Sequence, residues 1–233
     1  SFFKNKRKKV WLFINLYFTL HLKVLYMETK DYLKDIQDIK EMMSKSSQFI
    51  SLSGLSGILA GVYALVGAWM AYKTIYFDTS TMGNYKHLVI SQEAVYKLLV
   101  IAAAVVILSL ATGLFLSIRK AKKNNETVWN SAAKRLFINF MIPMVTGGFF
   151  ILFLIEKEML GLVAPLTLLF YGLACVNASK YTLGGVRYLG ITMIVLGLLS
   201  TWFLGYGLLF WAIGFGFCHI LYGSVMYFKY ERK

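Results

Sequence analysis

The stretch Phe49–Tyr72, FISLSGLSGILAGVYALVGAWMAY, decides the fold class of this chain. It contains no charged residue and is long enough to cross a ~30 Å hydrocarbon layer as a helix. Small residues, among them Gly54, Gly57 and Gly61, recur along it and would let neighbouring helices approach closely. The stretch therefore predicts a transmembrane helix that packs inside a bundle.

Five more apolar segments follow this stretch along the chain. They cover about residues 96–118, 137–155, 159–178, 187–204 and 207–227. The chain is 58% hydrophobic and 15% charged, whereas a soluble domain carries roughly 25% charged residues. We therefore predict an all-α, polytopic membrane bundle of six transmembrane helices, preceded by a short cytosolic amphipathic helix.

That amphipathic helix is predicted for residues 28–47, ETKDYLKDIQDIKEMMSKSS. Tyr32, Ile36, Ile39 and Met43 recur at helical spacing and form one apolar stripe. The stripe could dock on its own bundle, pair with a second copy in a homo-oligomer, or bind a cytosolic protein partner. Five acids against four lysines make a basic lipid-surface helix the less favoured alternative.

The N-terminal residues differ from the rest of the chain, and they set the predicted domain boundaries. Residues 1–26 carry six basic residues and no acid, but no small-residue cleavage site follows their apolar run. We favour a translation start at Met27, with a genuine extra anchor as the alternative. The predicted divisions are 1–26 (upstream extension or anchor), 27–48 (amphipathic helix), 49–228 (transmembrane domain) and 229–233 (basic tail).

The distribution of basic residues predicts the orientation in the membrane. From Met27 onward, the segments on the side of the N-terminus hold 15 Lys and Arg, and those on the other side hold 4. Cytoplasmic loops are enriched in Lys and Arg, so we expect a multi-pass protein of the cell inner membrane with both termini in the cytoplasm. The net charge of +14 then reflects membrane orientation, with membrane lipids as partners and no nucleic acid.

The residues that carry chemistry are sparse. Metal-dependent membrane oxygenases need clusters of His ligands, and this chain has three widely spaced His. No G-x-S-x-G, H-E-x-x-H or P-loop motif occurs. We predict no catalytic residue, no metal site and no cofactor.

His219, in the last apolar segment, is the most notable intramembrane polar residue, and Asn177 is a second. His219 could titrate protons or contact a ligand, or it could make one interhelical hydrogen bond. Pro143 and Pro165 could kink the third and fourth helices. Together these residues suggest a cavity between helices 3, 4 and 6, near His219 and Asn177.

Glycines form the second set of candidate residues, with a predicted role in helix packing. Several pairs are spaced seven residues apart, about two helical turns, so that both members share a face. The set comprises Gly54, Gly57, Gly61, Gly190, Gly197, Gly207, Gly214, Gly216 and Gly223.

Several of these segments carry a family resemblance. DYLKDI, MMSKSS and FISLSGLSGILAGVYALVGA, together with NASKYTLGGVRYLG through GYGLLFWAIGFGFCHILYGSVMYFKYE, resemble uncharacterised six-helix integral membrane proteins of Bacteroidota-type bacteria. The resemblance covers nearly all of residues 27–233. It implies the six-helix fold and a bacterial inner membrane, and it carries no activity and no site residues.

Three functional hypotheses follow, in decreasing order of preference. The first is a non-enzymatic structural, regulatory or signalling partner that acts through residues 28–47 and the predicted basic loop 119–136. The second is a small solute or proton transporter or channel with a cavity near the last helix. The third is a membrane enzyme acting on an apolar substrate, which we favour least because convergent acid, base and metal groups are missing from the sequence.

Overall fold

The computed structural model of the chain describes residues 36–37, 53–76, 91–123, 127–182 and 184–231. The chain divides into two units, Ser1–Ser46 and Ser47–Lys233. In the first unit, Ile36 and Gln37 are helical and exposed. The rest of the predicted amphipathic helix, and the predicted extension 1–26, lie outside the described residues.

The second unit is built from helices, and six of them are long and apolar enough to cross a membrane. Our labels are α1 (Gly54–Tyr76), α2 (Gln92–Lys123), α3 (Ser131–Glu156), α4 (Val163–Ala178), α5 (Gly185–Trp202), α6 (Gly207–Trp211) and α7 (His219–Tyr230). A π-helical segment, Ala212–Cys218, joins α6 to α7, and these three elements together form what we call the last span. The predicted all-α bundle of six apolar helices is confirmed, and it is compatible with a multi-pass membrane protein.

The predicted basic loop at 119–136 is mostly helical, and this part of the sequence analysis is wrong. Helix α2 continues to Lys123, and α3 already begins at Ser131. Arg, Lys and Ala are good helix formers, so the apolar helices extend into this basic stretch. The Asn130 side chain accepts a hydrogen bond from the backbone N–H of Ala133 at 2.8 Å and so caps α3. The basic residues therefore lie on two helix ends.

Four of the six spans form what we call the core, namely α1, α4, α5 and the last span. The last span lies against α1 on one side and against α4 and α5 on the other, and α4 packs closely on α5. Helices α2 and α3 are the flanking spans, because α2 packs mainly on α1 and α3 mainly on α4. In the most apolar stretch of 18 consecutive residues in α2 no residue is buried, compared with 33% of the corresponding stretch in α1.

Most of the charged helix ends lie at one end of the bundle. Helix α1 begins there and α2 and α7 end there, since Gly54, Lys120 and Glu231 are within hydrogen-bonding distance. Seven residues separate the end of α2 from the start of α3. We call this end the basic face and the other end the opposite face.

Candidate functional site

The π-helical segment AIGFGFC, residues 212–218, packs mainly on α1 and also contacts α5. Its Gly214 is buried, and a Cβ placed there would lie 2.5 Å from Cδ2 of Leu168 and 3.0 Å from Sδ of Met193. A larger residue at this position would collide with both neighbours. A π-helical turn is wider than an α-turn and is frequent at functional sites, and here the Gly214 carbonyl is within hydrogen-bonding distance of a side chain.

His219 uses that carbonyl. Its Nδ1 lies 3.1 Å from the Gly214 oxygen, and because a carbonyl oxygen can only accept, Nδ1 must carry the proton. Nε2 lies 2.8 Å from the Tyr171 hydroxyl, so in the neutral imidazole this nitrogen accepts a hydrogen bond that the hydroxyl donates. The His219 side chain is buried, and both of its ring nitrogens are satisfied.

Aromatic rings surround the His219–Tyr171 pair. The Tyr171 ring lies 5.0 Å from that of Phe215 and meets that of Phe140 edge-on at 5.9 Å, measured between centroids. Phe140 belongs to α3, Tyr171 to α4 and Phe215 to the last span. The cluster thus joins α3, α4 and the last span, the three helices between which a cavity is predicted from the sequence. At the position of the cluster, the side chains of these helices pack against one another.

The pair lies near the middle of its two spans. At a rise of about 1.5 Å per residue, His219 lies about 18 Å along the helix axis from the start of the last span. Tyr171 likewise lies about 16 Å along the axis from Leu160. Both positions are near the centre of a ~30 Å hydrocarbon layer. Polar groups at this depth are costly unless they bind each other, so the pair stabilises the association of α4 with the last span.

Asn177 makes a separate contact. Its Nδ2 donates to the backbone oxygen of Asn139 at 2.9 Å, which links α4 to α3. The structure therefore gives His219 and Asn177 different partners on different helices. Within the part of the chain that the structure describes, no group of three or more His, Cys, Asp or Glu could hold a metal ion.

A cavity lies between α1 and the last span, toward the opposite face. Its volume is about 420 Å³, which is within the range of small-molecule pockets. Its lining is mainly aromatic and aliphatic, and it includes Leu65, Ala68, Trp69, Tyr72, Gly205, Tyr206, Leu208, Leu209 and Ala212. Neither His219 nor Asn177 is among these residues.

Glycines mediate the contact of α1 with the last span. A Cβ at Gly57 would lie 3.1 Å from the Cα of Gly223, and one at Gly61 would lie 2.7 Å from the Gly216 oxygen. At Gly54 a Cβ would collide with the backbone nitrogen of Tyr227. The two backbones therefore touch along about three turns, the close approach that small residues permit in membranes.

A second set of glycines, on α5 and the last span, faces α4. A Cβ at Gly190 would lie 2.8 Å from the Gly172 oxygen, and one at Gly197 would lie 2.9 Å from the Pro165 oxygen. Gly207 lies at the start of the last span, and a Cβ placed there would lie 3.2 Å from the Cβ of Ala164. Helix α4 is thus the element on which α5 and the last span both pack.

A carboxylate at the basic face joins the ends of three spans. Oε1 of Glu231 accepts from the backbone N–H of Gly54 at 2.7 Å and from Nζ of Lys120 at 3.0 Å. Its Oε2 accepts from the Ser53 hydroxyl at 3.3 Å. The Lys120 and Glu231 side chains are only 15% and 16% exposed. We call this group the Glu231 junction.

Sequence reasoning missed both Tyr171 and Glu231. Tyr171 could have been suspected only as a polar-tipped residue in the span predicted to face His219. Glu231 is the one acid within the predicted basic tail 229–233, and that isolation is the signal that was available. Lys120 was counted only for orientation, whereas it makes a partly buried ion pair.

Comparisons of the chain with protein-family models, with curated proteins and with solved structures find no match. The resemblance drawn from the sequence therefore stays a prediction.

Proposed function

We propose that this chain is a non-enzymatic protein of the bacterial inner membrane, with both termini in the cytoplasm. It serves there as a structural, regulatory or signalling partner of a cytosolic protein, which binds the apolar stripe of residues 28–47. The observation that carries this proposal is the Glu231 junction. The family resemblance and the excess of basic residues on one side support the location and the orientation.

The position of the junction along the chain supports a coupling role. Ser53 and Gly54 stand only a few residues after the stripe of residues 28–47. At that point the Glu231 carboxylate, which directly follows α7, binds both the start of α1 and the end of α2. A partner that pulls on the N-terminal segment would therefore act on three spans at once.

The packing of the core would transmit such an action as a rigid displacement. The backbones of α1 and the last span touch at Gly57 and Gly223, so neither helix can slide without a collision. The last span in turn is joined to α4 through the His219–Tyr171 hydrogen bond. A displacement at the basic face would thus reach the middle of the bundle.

The test is affinity recovery of the full-length protein from membranes of its own host. We expect a soluble protein to accompany the wild-type chain and to be lost from a variant with Ile36→Asp and Ile39→Asp, which disrupts the stripe. The matched control carries Lys34→Gln and Lys45→Gln on the opposite side of the predicted helix, which changes the net charge by the same amount. Equal recovery with both variants, or no partner with the wild type, would reject the proposal.

A small solute transporter or channel is the second candidate, and the cavity of about 420 Å³ beside the last span favours it. Solute or proton flux in liposomes would support it if Leu209→Trp, which narrows the cavity, reduces that flux. His219→Ala should also reduce proton flux if the mid-depth pair takes part. Liposomes that stay impermeable to protons and to the solutes supplied would reject it.

A further inference from the structure

Five cations lie on the basic-face ends of α2 and α3, which a connection of seven residues joins along the chain. All five are exposed, and none makes an ion pair with an acid of the described residues. They are Arg119, Lys122, Lys123, Lys134 and Arg135. Lys120 differs from them, because it binds Glu231 inside the junction. Among the described residues of this end, these five positive charges therefore have no carboxylate partner.

Each of the two helices carries exposed apolar residues directly beside these cations. On α2, Phe115 is 64% exposed and precedes Arg119 by four residues. On α3, Ile138 is 57% exposed and follows Lys134 by four residues. Residues four apart share a helix face, so both helices present a cation at the basic face with apolar surface running into the membrane.

The opposite face lacks this arrangement among its described residues. There Nζ of Lys97 lies 3.2 Å from a carboxylate oxygen of Glu93, and Nζ of Lys157 lies 3.8 Å from one of Glu156. These lysines have neighbouring carboxylates that compensate their charge. The difference between the two faces points to an anionic ligand at the basic face.

An aromatic pair marks the level of the membrane surface between the two helices. Trp129, in the connection between α2 and α3, is 61% exposed and meets Phe137 edge-on at 6.0 Å between centroids. Trp is enriched at membrane–water interfaces, where headgroups lie. The five cations therefore lie at headgroup level, and the exposed faces of α2 and α3 lie at the level of the acyl chains.

We propose that the basic-face ends of α2 and α3 bind the headgroup phosphate of an anionic phospholipid, whose acyl chains lie along the exposed apolar residues of these helices. Clusters of Lys and Arg at membrane-helix ends recognise such headgroups. The apolar surface beside the cations distinguishes this ligand from a nucleic acid or a free anion. This site is independent of the cytosolic partner proposed above.

The test is native mass spectrometry of the full-length chain titrated with phosphatidylglycerol or with phosphatidylcholine of the same acyl chains. The variant carries Lys122→Gln, Lys123→Gln and Lys134→Gln. The control carries Lys73→Gln, Lys97→Gln and Lys157→Gln, so both lose three charges. We expect phosphatidylglycerol to bind the variant at least about tenfold more weakly than it binds the wild type and the control. Phosphatidylcholine should bind all three alike.

Equal weakening in variant and control, or no weakening in either, would overturn the proposal. A second measurement uses only the wild type and so does not depend on folding of the variant. Raising the salt concentration to 1 M should reduce phosphatidylglycerol binding to the level of phosphatidylcholine. Full retention at 1 M salt, or displacement of the lipid by inorganic phosphate at low salt, would contradict a lipid headgroup site.

Discussion

The core and the flanking spans of this bundle are built by different means. Within the core, glycines bring backbones into contact, as where a Cβ at Gly223 would lie 2.5 Å from the nitrogen of Ile58. On the flanking span α2, Gly113 has open space, with no atom within 4 Å of a Cβ placed there. A glycine count alone therefore does not locate an interface, and what matters is the span that faces each glycine.

The two regions also use polar groups differently. The core holds a neutral hydrogen bond, His219–Tyr171, at mid-depth, whereas the flanking span α2 is attached to the core by the charged Lys120–Glu231 pair at the basic face. Burying charge in the hydrocarbon is far more costly than burying a neutral hydrogen bond. The depth of each contact thus accounts for its chemistry.

The largest effect is expected for Gly223→Ala. The new Cβ would meet backbone atoms of α1, which cannot rotate away, so we expect a loss of about 3 kcal/mol in the free energy of unfolding. Gly113→Ala should instead increase it by roughly 0.5–1 kcal/mol, because alanine is the better helix former. Unfolding by SDS in mixed micelles measures both, and similar effects at the two positions would remove the distinction between core and flank.

Glu231→Ala comes next in size. It removes an acceptor from Gly54 and leaves the partly buried Lys120 without its carboxylate, so we expect a loss of about 2 kcal/mol. The control is Glu156→Ala, whose side chain is 67% exposed and lies 3.8 Å from Lys157. The same unfolding assay applies, and an effect no larger than that of the control would show that the junction does not hold α2 to the core.

The hydrogen bond inside the core should contribute less. A double-mutant cycle of His219→Ala and Tyr171→Phe is expected to give a coupling energy of about 1 kcal/mol, typical of interhelical hydrogen bonds in membranes. The cycle separates this coupling from the packing lost at each single site. A coupling near zero would mean that the 2.8 Å contact between Nε2 and the Tyr171 hydroxyl does not stabilise the bundle.

The smallest effect concerns salt. Raising the ionic strength to 1 M shortens the Debye length to about 3 Å, so the contribution of the Lys120–Glu231 pair should fall by roughly 0.5 kcal/mol. The His219–Tyr171 coupling, which involves no charge, should stay constant. Repeating the Glu231→Ala measurement and the double-mutant cycle at both salt concentrations checks this, and an equal response of the two contacts would contradict their assignment.

The sequence was sufficient for the six spans, because each is long, apolar and separated from the next by polar residues. It failed where chain segments distant in sequence meet. Nothing near His219 identifies Tyr171 as its partner, since that contact depends on how α4 packs against the last span. The π-helical turn has no sequence signal beyond its two glycines, and the helical ends at 119–123 and 131–136 were hidden by their charge, although their helix-forming residues pointed to the correct answer.

The most direct test of the proposed partner role is native mass spectrometry of the full-length chain, extracted gently from its own host in lipid. We expect the mass of the chain together with a cytosolic protein, and we expect this complex to be absent when Ile36→Asp and Ile39→Asp disrupt the stripe. A chain that carries no protein partner but retains a defined small molecule other than a phospholipid would contradict the account and would favour the transporter.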